Sequence, residues 1–488
     1  MTRKISVNGL AALSLVAVAL FMGFFNLAGY LMNDDEGAYL YGAWRVSLGD
    51  VPYRDFFISQ TPLSFYLGGA LFRAFGPSVL AARALCWVLV MTAAFLIFFA
   101  TKNIFGFGPK IALLGAAVFL FTKHIYFLGR LFMPDCFAVF LGTVAVVFAL
   151  KAEQEKSRRE FLPVFLFGAS TGLAALAKLN AALLLFGYAF FLIFLLMKKT
   201  RFMEIATKAI ASATGFLASF GLVYGLMLLF VPGTFQATIG FHLAKEKAVG
   251  ASFGQLALTR IVQFMGNHDY GLVPIAVIGM FFGRCFKERK RALLVSFFFS
   301  VMLQIFVPGV FYLRYVVLAF VPLALFLGDG VGAIFSWKKW RALAIPVFAA
   351  LLLLCLGPSF SPKKLTGYDS DTRALASYIK IHSSPADYVF GDDPGINFHA
   401  LRPCPPQLVD VSEATGRSGR ITAADAIREC EAYHVKLIFV EKGHSALHLR
   451  NLRGFPDFES YLDKSYEFAL TLPREFIQAD IYLRKPGS

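Results

Sequence analysis

At 488 residues, with 57% hydrophobic residues, 55 Phe and a mean hydropathy of +0.63, the chain carries more apolar surface than a soluble domain could cover. A formal net charge of +16 would suit nucleic acid, but it is unevenly spread: residues 1–358 hold 31 Lys and Arg against 14 Asp and Glu, whereas residues 359–488 hold 16 against 17. The excess lies in alternate short loops, "TRK" at the start, "KAEQEKSRRE" (151–160), "KKTR" (198–201), "RCFKERKR" (284–291) and "WKKWR" (337–341), the positive-inside pattern of a polytopic membrane protein, so no nucleic acid is expected as a partner.

Apolar runs near the roughly 20 residues that cross hydrocarbon predict spans at about 8–32, 79–101, 110–128, 135–151, 161–178, 180–197, 205–231, 270–283, 292–310, 313–335 and 342–358, about 11 transmembrane helices. The first run follows Arg3 and Lys4 and has "AVA" at 17–19, yet its hydrophobicity continues through "LFMGFFNLAGYLM". It therefore reads as an uncleaved anchor rather than a signal peptide. With the basic loops inside, the N-terminus is cytoplasmic and everything after residue 358 is outside, periplasmic for a cytoplasmic (inner) membrane.

Two outer loops are long. Residues 33–78 open on Asp34, Asp35 and Glu36, and "EGAYLYGAWRVSLG" and "PLSFYLGGALFRAFG" predict short amphipathic helices lying along the interface. Residues 232–269 suit a mobile cover, a common use of loops this long. Beyond 359, "DTRALASYIKIH" and "TAADAIRECEAYHV" have helical periodicity, and "ADYVFGD" and "VKLIFVE" are strand-like. The expected organisation is a transmembrane domain, 1–358, and a C-terminal extracytoplasmic α/β domain, 359–488. Cys404 and Cys430 fall in that outer domain, where a disulfide is chemically permitted and their pairing is left open.

Candidate chemistry gathers on the outer face. Asp34, Asp35 and Glu36 suit a helix start, where acids favour the dipole; Asp135, after Pro134 in "GRLFMPDCFAVFLG", suits an N-cap. Arg54, Arg130, Lys178 and Arg314 each stand nearly alone among apolar residues and any one could simply snorkel. Together, four cations facing several carboxylates describe a site for a phosphate-bearing lipid beside a general base.

The stretch from "NDDEGAYLYGAW" through "DVPYRDFFISQTPLSFYLGGALFRAFG" to "AARAL" resembles the first outer loop of the GT-C glycosyltransferases, the superfamily of the protein O-mannosyltransferases and the lipid A aminoarabinose transferase. "GRLFMPD", "GLAALAKLN" and "RYVVLAFVPLAL" resemble later blocks of those proteins in the same order, over about residues 1–335. The resemblance implies a GT-C-like fold and transfer of a sugar from a polyprenyl-phosphate-linked donor to a cell-envelope glycan, lipid or protein acceptor, with inversion. It places the catalytic acid of the Asp-Glu motif at Asp35, with Glu36 beside it and Asp135 as a further catalytic carboxylate. Asp34, Arg54, Gln60, Arg130, Lys178, Arg314 and Tyr315 are then the candidate substrate-binding residues. Some relatives have Lys-Pro where this chain has Gln60, Thr61 and Pro62, so the phosphate grip differs here.

No cofactor is required by this chemistry. His242 and His268 lie near acids, but neither His-x-x-x-His nor repeated carboxylate spacing is present, so no metal ligands are assigned, and a divalent ion remains an open alternative. The competing functional class is a transporter or flippase of a lipid-linked sugar. Such proteins carry charge near mid-span and paired broken helices, whereas here the charges collect at one face. A third reading is an inactive relative that binds polyprenyl lipid.

Overall fold

The computed structural model describes residues 34–154, 160–243, 258–261, 287–306, 313–336, 368–443, 448–472 and 477–487, with isolated residues elsewhere. Among them, five helices are long and apolar enough to cross a membrane: Val79–Asn103, Pro134–Ala152, Leu179–Met197, Phe202–Phe230 and Arg314–Val331. Shorter apolar helices run Leu63–Phe75, Pro109–Phe121 and Phe161–Ala177. The expected spans at 8–32, 270–283 and 342–358 fall almost wholly outside the described residues. The expected span 110–128 is broken. Its helix stops at Phe121, Thr122 turns to ψ 141°, and a six-residue helix, Lys123–Leu128, follows.

Local sequence explains where the helices start. Ser78 caps Val79–Asn103 by accepting the Ala81 N–H at 3.2 Å. Pro109 and Pro134 open their helices, where a missing N–H costs nothing. Small residues then set how closely helices approach. A Cβ at Gly168 would lie 2.0 Å from the Ser212 carbonyl oxygen, and one at Gly215 would lie 2.1 Å from that of Phe165. Phe161–Ala177 and Phe202–Phe216 therefore touch backbone to backbone, the small-residue packing typical of apolar helices.

The two ends of the bundle differ. At one end Lys208 is ringed by Glu153, Glu160 and Glu204, Arg289 reaches Glu204 at 2.7 Å, and Arg291 grips Asp329 at 2.6 Å. These groups tie together the helices that meet there. The opposite end carries Asp35, Asp135, Lys178 and Arg314, and the α/β unit sits against it.

That unit, within residues 368–487, has a four-stranded sheet in the order β1-β2-β4-β3, with β1 Val389–Gly391, β2 Leu437–Gly443, β3 Tyr466–Leu472 and β4 Ile477–Arg484. β1 and β2 are parallel and the other pairings antiparallel. Helices Tyr368–His382 and Ala423–Ala432 and the first two strands lie where the sequence places them. The β3–β4 hairpin and the helix Phe455–Ser465 were not anticipated. Cys404 and Cys430 are both buried, with free thiols.

Helix Pro394–Ala400 of this unit lies on the helix Asp34–Ser47. A Cβ at Gly37 would lie 2.8 Å from Asp393 Oδ1 and from the backbone of Gly395. The Tyr41 hydroxyl accepts the Cys404 N–H at 2.7 Å, Phe72 stacks on Phe398 at 5.6 Å, and the Phe57 N–H donates to the Pro406 carbonyl at 2.9 Å.

Candidate active site

Two ion pairs define the site. Asp35 stands in the first turn of Asp34–Ser47, and its Oδ2 accepts from Arg314 Nη1 at 2.6 Å. Asp135 is the second residue of Pro134–Ala152, only 2% exposed, and pairs with the Lys178 ammonium. Lys178 is available for this because helix Phe161–Ala177 stops there: its backbone is extended (φ −152°, ψ 114°) before a 3-10 turn, Leu179–Ala182. The two pairs adjoin through Tyr315, whose ring lies 5.4 Å from Lys178 Nζ and which follows Arg314 in sequence.

Asp35 keeps 44% of its side-chain surface, so it opens to solvent on one side and is walled by protein on the others. Desolvation raises its pKa, but the Arg314 guanidinium, with His448 and Lys178 adding to it, outweighs that effect and holds the carboxyl below its ordinary value. Asp35 is thus a carboxylate at neutral pH, able to accept a proton.

Glu36 has a different environment. It is fully buried, accepts Arg83 Nε at 2.8 Å and Nη2 at 2.7 Å in a bidentate pair, and also accepts the Phe132 N–H at 2.9 Å. One carboxylate thereby ties the helix of Asp35 to the span Val79–Asn103 and to the turn just before Asp135. That geometry, with every carboxylate oxygen engaged by Arg83 or Phe132, suits positioning of the helix that carries Asp35.

The other expected residues divide. Arg54 is exposed and forms a two-bond pair with its neighbour Asp55, at 2.9 and 2.7 Å, rather than with Asp35. Arg130 is buried, its Nε donating to the Tyr126 carbonyl at 3.1 Å and its guanidinium 4.0 Å over the Tyr126 ring. Gln60 offers its backbone carbonyl to the Tyr53 hydroxyl at 2.5 Å. Asp34 opens its helix, and its side chain lies outside the described residues. His242 Nε2 contacts the Ser59 carbonyl at 2.9 Å, and His268 lies outside the described residues. Among the described residues no three His, Cys, Asp or Glu are arranged to hold a metal.

Sequence reasoning missed three residues. Arg83 gave the same signal as the other four cations, a lone charge in an apolar run. Asp410, whose Oδ2 accepts the Ser59 N–H at 2.9 Å, and His448 come from the α/β unit, and nothing local marks them as neighbours of residues 33–78.

Residues 59–229 match the sequence family described as dolichyl-phosphate-mannose-protein mannosyltransferase. No curated protein matches the chain. Among solved structures, ArnT from Cupriavidus metallidurans bound to undecaprenyl phosphate is similar to it at TM-score 0.69 and 13% identity, covering 99% of both chains. The Archaeoglobus fulgidus oligosaccharyltransferase in its apo form is similar at TM-score 0.56 and 12% identity, covering 98% of this chain and 75% of that one. AftD, an arabinofuranosyltransferase from Mycobacteria, is similar at TM-score 0.55 and 12% identity, covering 98% of this chain and 40% of that one. The family match over 59–229 takes in Asp135 and Lys178, and the solved structures show that this chain shares their fold along nearly its whole length.

Proposed function

We propose that the protein transfers a sugar from a polyprenyl-phosphate donor to a hydroxyl of a cell-envelope glycan, glycolipid or protein acceptor, at the outer face of the cytoplasmic membrane and with inversion. The observation that carries this reading is the juxtaposition, at one end of the bundle, of an ionised and partly open Asp35 with Arg314, beside a buried Asp135 paired with Lys178.

The acceptor oxygen attacks the anomeric carbon, the bond from that carbon to the phosphate oxygen breaks, and the acceptor's proton passes to Asp35. General-base assistance of this kind supplies about 10²–10⁴ in rate. The lipid phosphate leaves with negative charge. Arg314 can meet it with two parallel N–H donors, and Lys178 can add a point charge from beside Tyr315. Asp135 keeps Lys178 in place, and Glu36 with Arg83 fixes the helix that carries Asp35. Arg54, Arg130, Asp34 and Gln60 complete the set of residues proposed to bind substrate. A transporter would need charge near mid-span, and no observation favours one.

The test is turnover by purified protein in nanodiscs supplied with polyprenyl-phosphate sugars, alongside mass spectrometry of envelope glycans with and without the gene. Asp35→Asn should abolish transfer and retain donor binding. Wild-type turnover by Asp35→Asn, or donor translocation without transfer, would overturn the proposal.

A further inference from the structure

Three short 3-10 segments meet at one side chain beside the two ion pairs. Leu179–Ala182 follows Lys178, Leu303–Phe306 continues the helix Arg289–Met302, and Leu313–Ala319 carries Arg314 and Tyr315 into the span that follows. Hydrogen bonds within such turns are poorer than in an α-helix, so the direction in which Lys178 and Arg314 leave the backbone depends on what fastens the turns to one another. Asn180 does this: its Nδ2 donates to the Tyr315 carbonyl at 2.9 Å and to Gln304 Oε1 at 3.3 Å, which joins all three segments. A backbone carbonyl only accepts, so the amide nitrogen must face Tyr315, and chemistry settles which way the Asn180 side chain is turned. Its Oδ1 then points elsewhere, buried and without a hydrogen-bond partner among the described residues. An unsatisfied buried acceptor is destabilising, and an apolar residue of similar size would pack these segments without that penalty. What the amide supplies, and an apolar residue does not, is the pair of donors.

We infer that Asn180 is a positioning residue of the transfer reaction, the brace that holds Lys178 and Arg314 in a fixed relation so that both cations reach one leaving phosphate. Lys178 lies two positions before Asn180, and Arg314 immediately precedes the residue whose carbonyl Asn180 holds. The Lys178 ammonium lies 5.4 Å from the centre of the Tyr315 ring, so Tyr315 is held at its ring by Lys178 and at its backbone by Asn180. Asp35 pairs with Arg314 and Asp135 with Lys178, and Asn180 supplies a link between the two pairs. The lipid phosphate gains negative charge as its bond to the anomeric carbon breaks, and two cations stabilise that charge best when both are already in place. Asn180 acts on the reaction through them.

The inference rests on the proposed transfer reaction, and the experiment separates the two. Wild type, Asn180→Leu, Arg314→Ala, their double variant and Asp35→Asn are purified as full chains in nanodiscs. Transfer from one accepted polyprenyl-phosphate sugar is resolved into kcat and donor affinity, and free undecaprenyl phosphate, which carries the charge that develops on the leaving group, is titrated as a separate ligand. Asn180→Leu should lower kcat by about ten- to a hundredfold and weaken undecaprenyl phosphate by about tenfold, while donor affinity changes by less than about threefold and the thermal midpoint does not fall. In the Arg314→Ala background the same substitution should lower kcat by at least about threefold less than it does alone, because one of the cations it aims is absent. Wild-type kcat and wild-type affinity for undecaprenyl phosphate in Asn180→Leu overturn the inference, as does a loss that accompanies a lowered midpoint and multiplies in full in the double variant. If Asn180→Leu does not fold, Asn180→Ser, which retains one donor of shorter reach, is read through the same cycle. Absence of transfer by wild type, or full transfer by Asp35→Asn, defeats the transfer reading instead, and the titration of undecaprenyl phosphate still decides the role of Asn180.

Discussion

Glu36 and Arg83 meet in a two-bond pair at 2.8 and 2.7 Å with both side chains almost wholly removed from solvent. Such a pair contributes little relative to a well-packed apolar replacement, but breaking it from one side leaves an uncompensated charge and costs about 3–5 kcal/mol. Arg83→Ala should therefore lower the thermal midpoint of the detergent-purified protein, and Glu36→Gln should do so less severely because an amide still bonds. The double variant Glu36→Gln with Arg83→Met should recover part of the loss. A pair acting on substrate would instead give variants of normal stability that are defective only in turnover.

Arg314 offers a test of how the leaving group is held. Arg314→Lys keeps the charge but loses the planar fork, and it should weaken donor binding or turnover. Arg314→Ala should weaken it further, by on the order of ten- to a hundredfold, given roughly 1.5–3 kcal/mol for a hydrogen bond to a charged group. Donor titration and single-turnover rates provide the measurement, and normal values in Arg314→Ala would move the phosphate toward Arg130.

Asp392 makes the stability of the α/β unit depend on pH. Burial pushes its pKa up to about 6, against the N–H groups of Leu449 and Glu441 that favour the anion. A folded-state pKa above the unfolded one means that the folded form binds the proton more tightly. The resulting stabilisation is fully present below about pH 4 and is lost as pH rises through about 6. Two units correspond to about 3 kcal/mol at most. Unfolding curves at pH 4.5 and 7.5 should show this component in wild type and not in Asp392→Asn, and equal pH dependence in both would assign it elsewhere.

Gly37 sits where a methyl group has no room, with Asp393 Oδ1 and the Gly395 backbone 2.8 Å from the position its Cβ would take. Gly37→Ala must separate the Asp34–Ser47 helix from Pro394–Ala400, at a cost of about 1–3 kcal/mol. It should accelerate proteolysis of the α/β unit. Gly225→Ala, with nothing within 4 Å, is the neutral comparison.

The sequence disclosed the site end better than the site's internal pairing. Asp35, Asp135, Lys178 and Arg314 stood out because isolated charge in apolar sequence is costly, and they do form two adjoining pairs. Which acid meets which cation was not legible, since it depends on where Phe161–Ala177 stops and on how Arg314–Val331 packs. Arg83 and Arg54 share the same local signal, yet one is buried against Glu36 and the other exposed against Asp55. Asp410 and His448 were missed for a reason of chain distance: they act on residues 33–78 from about 350 and 410 positions away. The β3–β4 hairpin was legible in principle, since "YEFALTL" and "IQADIYLR" both have strand-like apolar positions, and it was overlooked.

The helix Phe202–Phe230 is 29 residues long with only 17% of its apolar window covered by protein. At 1.5 Å per residue it extends roughly 43 Å, against about 30 Å of hydrocarbon. Its first turns carry Glu204 and Lys208, which belong to the charged end of the bundle, so residues 209–230, roughly 33 Å, are left for the lipid tails, a near match that a modest tilt absorbs. Because Gly168 and Gly215 lock it backbone to backbone onto Phe161–Ala177, a change of tilt is carried to the neighbouring helix, whose last step is Lys178. A tilt imposed by shorter or longer acyl chains would therefore reach the Asp135–Lys178 pair through this packing, so the thickness of the bilayer is felt at the far end of the bundle.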